Sequence, residues 1–355
     1  MGGANYHCWI IFDDGVKWLV RIPRTTTCND MPPELEDYIV KSEYATLRFL
    51  ENTPIPAPKA YGYGLASDPE NKVGVAYILE EAMPGNRFDA HDATDEQKLH
   101  VYDQYADILA ELNNHAKSQA CSLVPLNSGT EGASIASNRF GTLAEHGPFD
   151  TATDYFVTIA SLHRALVADG QIYPEYAKEA YLFYRLLEER VAPALGHVEA
   201  TSSFFLKHAD DKGDHVLVDE SYNIAAVLDW QFARFVPAIE AFGPSLFTAD
   251  LSNLYSNSTG LSANDNLLAD AFARKGRQDL AALASSNELV RRFHFGLASG
   301  TTKSEVLGMI KAVLELMGQK DIDVATWIER EWHRDDGDGR LEKVKKLVAD
   351  LEAEE

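Results

Sequence analysis

Phe204-Phe205-Leu206-Lys207-His208-Ala209-Asp210-Asp211-Lys212-Gly213-Asp214-His215-Val216-Leu217-Val218-Asp219 is followed closely by Ile224-Ala225-Ala226-Val227-Leu228-Asp229-Trp230. Apolar residues flank a polar loop that holds three aspartates and two histidines. Val216–Val218 and Ala225–Leu228 have the composition of two strands, and the residues from Asp219 to Ile224 are rich in turn formers. If Val218 pairs with Ala225, antiparallel register sets His215 opposite Leu228 and Asp214 opposite Asp229. The hairpin then gathers Asp210, Asp214, His215 and Asp229 at one end. Several acids at one point repel each other, and a cation among them relieves that repulsion. The plainer reading is a solvated acidic turn.

A second signal lies upstream. The spacing predicts a helix over roughly Glu36 to Glu51, with Ile39, Glu43, Leu47 and Leu50 on one face. A carboxylate on an apolar stripe needs a basic partner. The strand at Trp18 to Ile22 offers Arg21, with Lys17 on the same face and Trp18, Val20 and Ile22 on the other. An internal Arg21–Glu43 pair is expected; the alternative is a glutamate at the edge of the stripe, facing water. A third, weaker signal is Gly2-Gly3 before the first strand. Glycines there suit a loop whose backbone N–H groups cover phosphates, and suit a flexible end equally well.

Around these signals the chain changes character. Cys8 to Phe12 and Trp18 to Ile22 read as a hairpin turning at Asp13-Asp14-Gly15. Pro54-Ile55-Pro56-Ala57-Pro58 cannot be helical, since each proline removes a donor and restricts the residue before it. Val73 to Glu80 is a further strand candidate, closed by Pro84-Gly85. From about residue 94 the period turns helical, with Val101, Tyr105, Ile108 and Leu112 on one face. Residues 151–168 and 174–195 also read as helical. Thr302-Lys303-Ser304-Glu305 fits a capping box ahead of the stripe Val306, Met309, Ile310, Val313 and Met317. The expectation is an α+β chain. A strand-rich N-terminal part covers 1–80 and a connector 81–86. A larger helical part with one embedded hairpin covers 87–355.

Composition narrows the classes. The 355 residues carry a formal net charge of −23 with 45% hydrophobic residues, enough for a full core. So acidic a chain is a poor nucleic-acid binder and a poor partner for anionic lipid, though it suits a cationic small molecule. Cys8, Cys28 and Cys121 form no CxxC pair and suggest neither a disulfide frame nor a zinc knuckle. No apolar run approaches the length of a membrane span, and the N-terminus lacks the basic region of a signal peptide. A cytoplasmic protein is expected.

The motif order resembles the aminoglycoside phosphotransferase and choline kinase-like family, in its fungal-type members most of all. His208-x-Asp210, position 215 and Asp229-Trp230 look like that family's catalytic and metal segments. Trp18-Leu19-Val20-Arg21-Ile22-Pro23 resembles the strand whose basic residue holds nucleotide phosphates, and Glu43 sits where the family's helix glutamate pairs with it. Thr53 to Pro58 is similar to the proline-rich entry to the next strand. Tyr77-Ile78-Leu79-Glu80-Glu81-Ala82-Met83-Pro84-Gly85 resembles the hinge that holds adenine. The resemblance implies a two-lobed protein-kinase-like fold. It also implies phosphoryl transfer from ATP, with Mg2+ or Mn2+, to a hydroxyl of a small molecule.

On that reading Asp210 orients or deprotonates the acceptor and His208 braces the loop. Asp229 holds the metal, with His215 or Asp214 supplying a further ligand. Arg21, Glu43, Gly2, Gly3, Glu81 and Met83 form the nucleotide site. Three departures stand out. His215 occupies the place of a metal-binding asparagine, although magnesium prefers oxygen ligands. Arg21 replaces the usual lysine, and the family's first strand is missing. A pseudokinase serving as a binding or scaffold protein, and a metal-dependent hydrolase built on the same loop, are the alternatives.

Overall fold

The computed structural model describes residues 5–24, 33–126, 129–133, 135–138, 141–197, 203–297, 301–319, 321–335, 337 and 339–354. Strand β1 (Asn5–Ile11) folds back on β2 (Lys17–Pro23), with Ile11 opposite Lys17 and His7 opposite Arg21. The turn uses Gly15 at φ +86°, a left-handed value that favours glycine. Helix α1 (Pro33–Leu50) follows, and Ile39, Glu43, Leu47 and Leu50 are all buried on its inner face. Strands β3 (Ala60–Gly64) and β4 (Tyr77–Glu81) complete a four-stranded antiparallel sheet of order β1-β2-β4-β3.

The strand expected from Val73 begins only at Tyr77. Its first residues are held in turns instead, because the Asn71 amide donates to the carbonyls of Leu65 and Val75. Strand β5 (Asn86–Arg87) leads to helix α2 (Asp95–Asn113), which opens on a Thr94–Gln97 capping box and buries Val101, Tyr105, Ile108 and Leu112. Helical periodicity does not continue from there. The chain forms two small hairpins, β6 (Ser122–Leu126) with β7 (Gly129–Ala133) and β8 (Ile135–Asn138) with β9 (Gly141–His146). Three glycines, a proline and several serines and threonines make residues 122–146 a poor helix and leave turns as the cheaper solution.

Strand β10 (Phe204–Lys207) pairs with β13 (Arg234–Pro237), and between them β11 (Val216–Val218) and β12 (Ile224–Val227) form the hairpin read from the sequence. Val216 faces Val227 and Leu217 faces Ala226, the anticipated register; a bulge then shifts Val218 onto Ile224. The outer side of β11 takes β5, with Leu217 opposite Arg87. Gly85 makes that approach possible: a Cβ there would stand 2.9 Å from the Val218 carbonyl oxygen, and its φ is +112°. The Val227 N–H donates to the Pro56 carbonyl at 2.7 Å, which ties the proline-rich segment to the hairpin.

The chain divides into two compact units. The first comprises residues 1–148, 203–236 and 270–278 and carries the sheets. The second comprises 149–202, 237–269 and 279–355 and is helical. In chain order the remaining helices are α3 (Ala152–Ala168), α4 (Ala177–Leu186), α5 (Ala192–His197), α6 (Ala238–Phe242), α7 (Leu251–Tyr255) and α8 (Ala263–Arg274). They continue with α9 (Gln278–Ala284), α10 (Leu289–Gly296), α11 (Lys303–Leu316), α12 (Val324–Trp332) and α13 (Arg340–Glu354). The anticipated capping box opens α11: the Glu305 N–H donates to Thr302 Oγ1 and the Thr302 N–H to Glu305 Oε2. Among the described residues no helix is long and apolar enough to cross a membrane.

Candidate functional site

The site is built within the first unit, on a buried arginine. Arg21 lies on β2 and is 4% exposed. Its Nη1 donates to Glu43 Oε1 from α1 and stands 3.7 Å from Glu80 Oε2 on β4. Its Nη2 donates to Asp229 Oδ1 at 2.6 Å. One guanidinium therefore faces three carboxylates. Burial disfavours its charge, but Glu43, Asp229 and Glu80 outweigh burial and hold it ionised far above neutral pH. Burial pushes Glu43 up to about 8; Arg21 opposes that shift while Asp229 and Glu80 add to it. Burial also raises Glu80. Asp229 goes the other way, to about 2: burial would raise it, but Arg21, His215 and His208 together prevail. Three acids crowd around one cation, so burial and mutual repulsion raise the two glutamates while Asp229 keeps its charge.

The loop between β10 and β11 supplies the rest. His208 is buried; its Nε2 donates to the Leu228 carbonyl at 2.6 Å and its Nδ1 accepts from the Asp210 N–H at 3.1 Å. A carbonyl can only accept and an N–H can only donate, so both bonds are satisfied by one neutral tautomer. Burial and the neighbouring His215 lower its pKa to about 4, against weaker opposing pulls from the Leu228 carbonyl, Asp229 and Asp211. The imidazole thus clips the loop to the end of β12, over the indole of Trp230 at 5.0 Å. His215 Nδ1 donates to the Asp210 carbonyl at 2.8 Å, and its Nε2 faces Asp229 Oδ2 at 3.6 Å. The Asp210 carboxylate lies 3.3 Å from Lys212 Nζ and 3.8 Å from His215 Nδ1. Asp229 itself has φ 60°, a left-handed conformation tolerated best by Gly, Asn and Asp.

Of the residues singled out in the sequence, Arg21, Glu43, Asp229, His215, Asp210 and His208 are brought into one connected group. Asp214 is not. The ladder runs one pair past β11, where the Leu228 N–H donates to the His215 carbonyl at 2.8 Å. The tight turn Gly213–His215 then leads the chain away, and Asp214 is exposed. Asp211 is buried in an ion pair with Lys207. Glu81 ends β4, where its N–H donates to the Lys59 carbonyl, and Met83 is half-buried in the connector that follows. Gly2 and Gly3 lie outside the described residues.

Among the described residues no three of His, Cys, Asp and Glu gather in a way that could hold a metal by themselves. Asp229 Oδ2 and His215 Nε2 do converge, and Oδ2 is the Asp229 oxygen that Arg21 does not take. Of that pair the carboxylate oxygen suits Mg2+ or Mn2+, while the imidazole nitrogen is the poorer partner for so hard an ion.

Sequence reasoning missed Glu80 as part of the cluster. Its signal needs the register: Arg21 sits opposite Ile78, so Glu80, two residues on, shares the arginine's face. Arg291 and Arg292 are buried in an ion network of the second unit.

The sequence matches the model of the phosphotransferase enzyme family over residues 2–284. No curated protein sequence matches it. Among solved structures it is similar to a thermostable mutant of aminoglycoside phosphotransferase APH(4)-Ia in ternary complex with AMP-PNP and hygromycin B. Identity there is 16% over 98% of this chain and 91% of that one, with a TM-score of 0.44. It is also similar to macrolide 2'-phosphotransferase MphH from Brachybacterium faecium, at 17% identity over 91% and 90% of the two chains and a TM-score of 0.41. A third is the gentamicin complex of APH(2")-IIa, at 14% identity over 90% and 93% and a TM-score of 0.47.

Proposed function

Because the chain belongs to the phosphotransferase enzyme family, we propose that it transfers the terminal phosphoryl group of ATP to a hydroxyl of a small molecule. The observation that carries this reading is the single connected group of Arg21, Asp229, His215 and Asp210. It pairs a fixed cation suited to phosphate with a charged carboxylate suited to a metal and a second carboxylate on a braced loop. In the transfer the bond from the terminal phosphorus to the bridging oxygen breaks, and one to the acceptor oxygen forms. ADP leaves with the electron pair of the broken bond, and the hydroxyl proton passes to the Asp210 carboxylate. His208 keeps the loop in place through its two bonds and takes no proton itself, being neutral well below pH 7.

Arg21 holds phosphate oxygens, for which its planar fork is well suited. Asp229, with His215 beside it, would hold Mg2+ or Mn2+. When bound, such an ion would supply charge neutralisation at the phosphates. Residues 1–80 serve as the nucleotide-holding part. The connector 81–86 is the hinge, with Glu81 and Met83 beside adenine, and 87–355 supplies the loop and acceptor site. The acidic composition favours a cationic acceptor. A second reading has its own observation. The 2.6 Å bond between Arg21 and Asp229 engages the phosphate ligand and the metal ligand with each other, as a binding protein without turnover would allow.

One experiment separates the two. ATP consumption is followed against a library of hydroxyl-bearing metabolites, with and without Mg2+ or Mn2+, for the natural chain and Asp210→Asn. Turnover that needs Asp210 supports the kinase. Nucleotide binding without turnover supports the scaffold, and absence of both removes the reading altogether.

A further inference from the structure

We propose that Glu80 is a positioning residue for Arg21, a second carboxylate that lets an arginine do the phosphate-binding work of this site. The inference rests on the kinase reading and adds a residue to it. Glu80 lies in the middle of a central strand pair and is 5% exposed. A carboxylate in such a place needs a counter-charge. The pleat puts its side chain on Arg21's face, diagonally across from it, and long side chains reach one another at that spacing.

The geometry divides the guanidinium into two ends. Nη1 is held by Glu43 from the helix and Glu80 from the sheet, while Nη2 alone meets Asp229. If Asp229 turns to another partner, the two glutamates still fix the plane of the fork, and Nη2 stays aimed at the vacated place. One carboxylate would leave the guanidinium free to rotate about that single contact. A lysine ammonium, with three donors on one atom, has no separate ends and gains little from a second clamp. Glu80 is thus matched to arginine, not to positive charge in general.

The test measures ATP, ADP and adenosine dissociation constants for the full-length chain by calorimetry. The variants are Glu80→Gln, Glu80→Leu, Arg21→Lys and the Arg21→Lys/Glu80→Leu double. ATP and ADP affinity should fall about tenfold in either Glu80 variant, the size expected for a disturbed charge-assisted contact. Adenosine, which has no phosphate for Arg21, should bind as before. The double variant should bind ATP no more weakly than Arg21→Lys alone. If turnover is present, KM for ATP should rise more than kcat falls. Equal losses for ATP and adenosine would mark Glu80 as merely structural and overturn the inference. So would independent, additive losses in the double variant, or Glu80→Gln with unchanged ATP affinity. A natural chain that binds no nucleotide would overturn the kinase reading first, and this inference with it. If Glu80→Leu fails to fold, the near-isosteric Glu80→Gln still decides.

Discussion

Two buried arginine clusters, one in each unit, are built on opposite principles. In the helical unit Arg291 and Arg292 meet Asp265 and Glu288, two cations against two anions. The surplus donors are spent on backbone: Arg292 reaches the Leu254 carbonyl at 3.0 Å and also the Ser258 carbonyl. Asp265 in turn accepts from the Thr248 hydroxyl and, at 2.7 Å, from the Ser262 N–H. In the sheet-bearing unit Arg21 faces Glu43, Glu80 and Asp229. The first cluster is balanced in charge and tied to loops; it holds helices together. The second has negative charge left over beside a half-exposed carboxylate. Such a surplus costs stability unless a cation or a proton answers it. On the kinase reading, an arginine at a site of action and the arginines of a frame differ in their charge balance.

The sharpest way to break this contrast is to remove one charge from each region. Asp210→Asn should lower turnover by about a thousandfold, in the range for loss of a positioned acid–base group, while ATP binding and the melting temperature stay close to normal. Arg291→Ala should do the reverse. Leaving Asp265 and Glu288 buried without it should cost about 3–5 kcal/mol in urea unfolding, with little change in nucleotide affinity for the fraction that remains folded. If Arg291→Ala unfolds as easily as the natural chain, the balanced cluster is not a frame.

A pH titration sharpens the comparison. His208 is held near 4 in the folded chain against about 6.5 when unfolded. The folded state therefore resists taking up its proton, and the unfolded state takes it first as pH falls. This contribution is fully present above pH 6.5 and is lost as pH drops toward 4, by an amount on the order of a few kcal/mol. His208→Asn should flatten the unfolding free energy over that window; an unchanged slope would mean that the imidazole is not held neutral. The smallest effect sets the scale for an ordinary structural contact. Thr302→Ala, at the N-cap of α11, should cost about 1 kcal/mol and leave nucleotide affinity untouched.

What could be read from the sequence depended on range. The pairing of Val216 with Val227 was legible because two apolar runs flank a short polar turn, which leaves little choice of register. The Arg21–Glu43 pair was legible because a glutamate on the stripe of Ile39, Leu47 and Leu50 must find a cation. Glu80 was not, because its side of the sheet follows from the pairing of Arg21 with Ile78, and no local pattern encodes that. Asp214 was misplaced because strand geometry was extended through Gly213–His215, where a tight turn takes over. The hairpins between residues 122 and 146 were overlooked because small polar residues carry no clear period.

The left-handed backbone at Asp229 applies two separate filters to whatever occupies that position. Folding admits asparagine and glycine as readily as aspartate, and rejects valine or threonine for steric reasons alone. On the kinase reading, metal binding admits only the carboxylate. A library randomised at this codon should therefore express glycine, asparagine and aspartate well, and valine and threonine poorly, with activity confined to aspartate, a pattern that an unstrained acidic position would not produce.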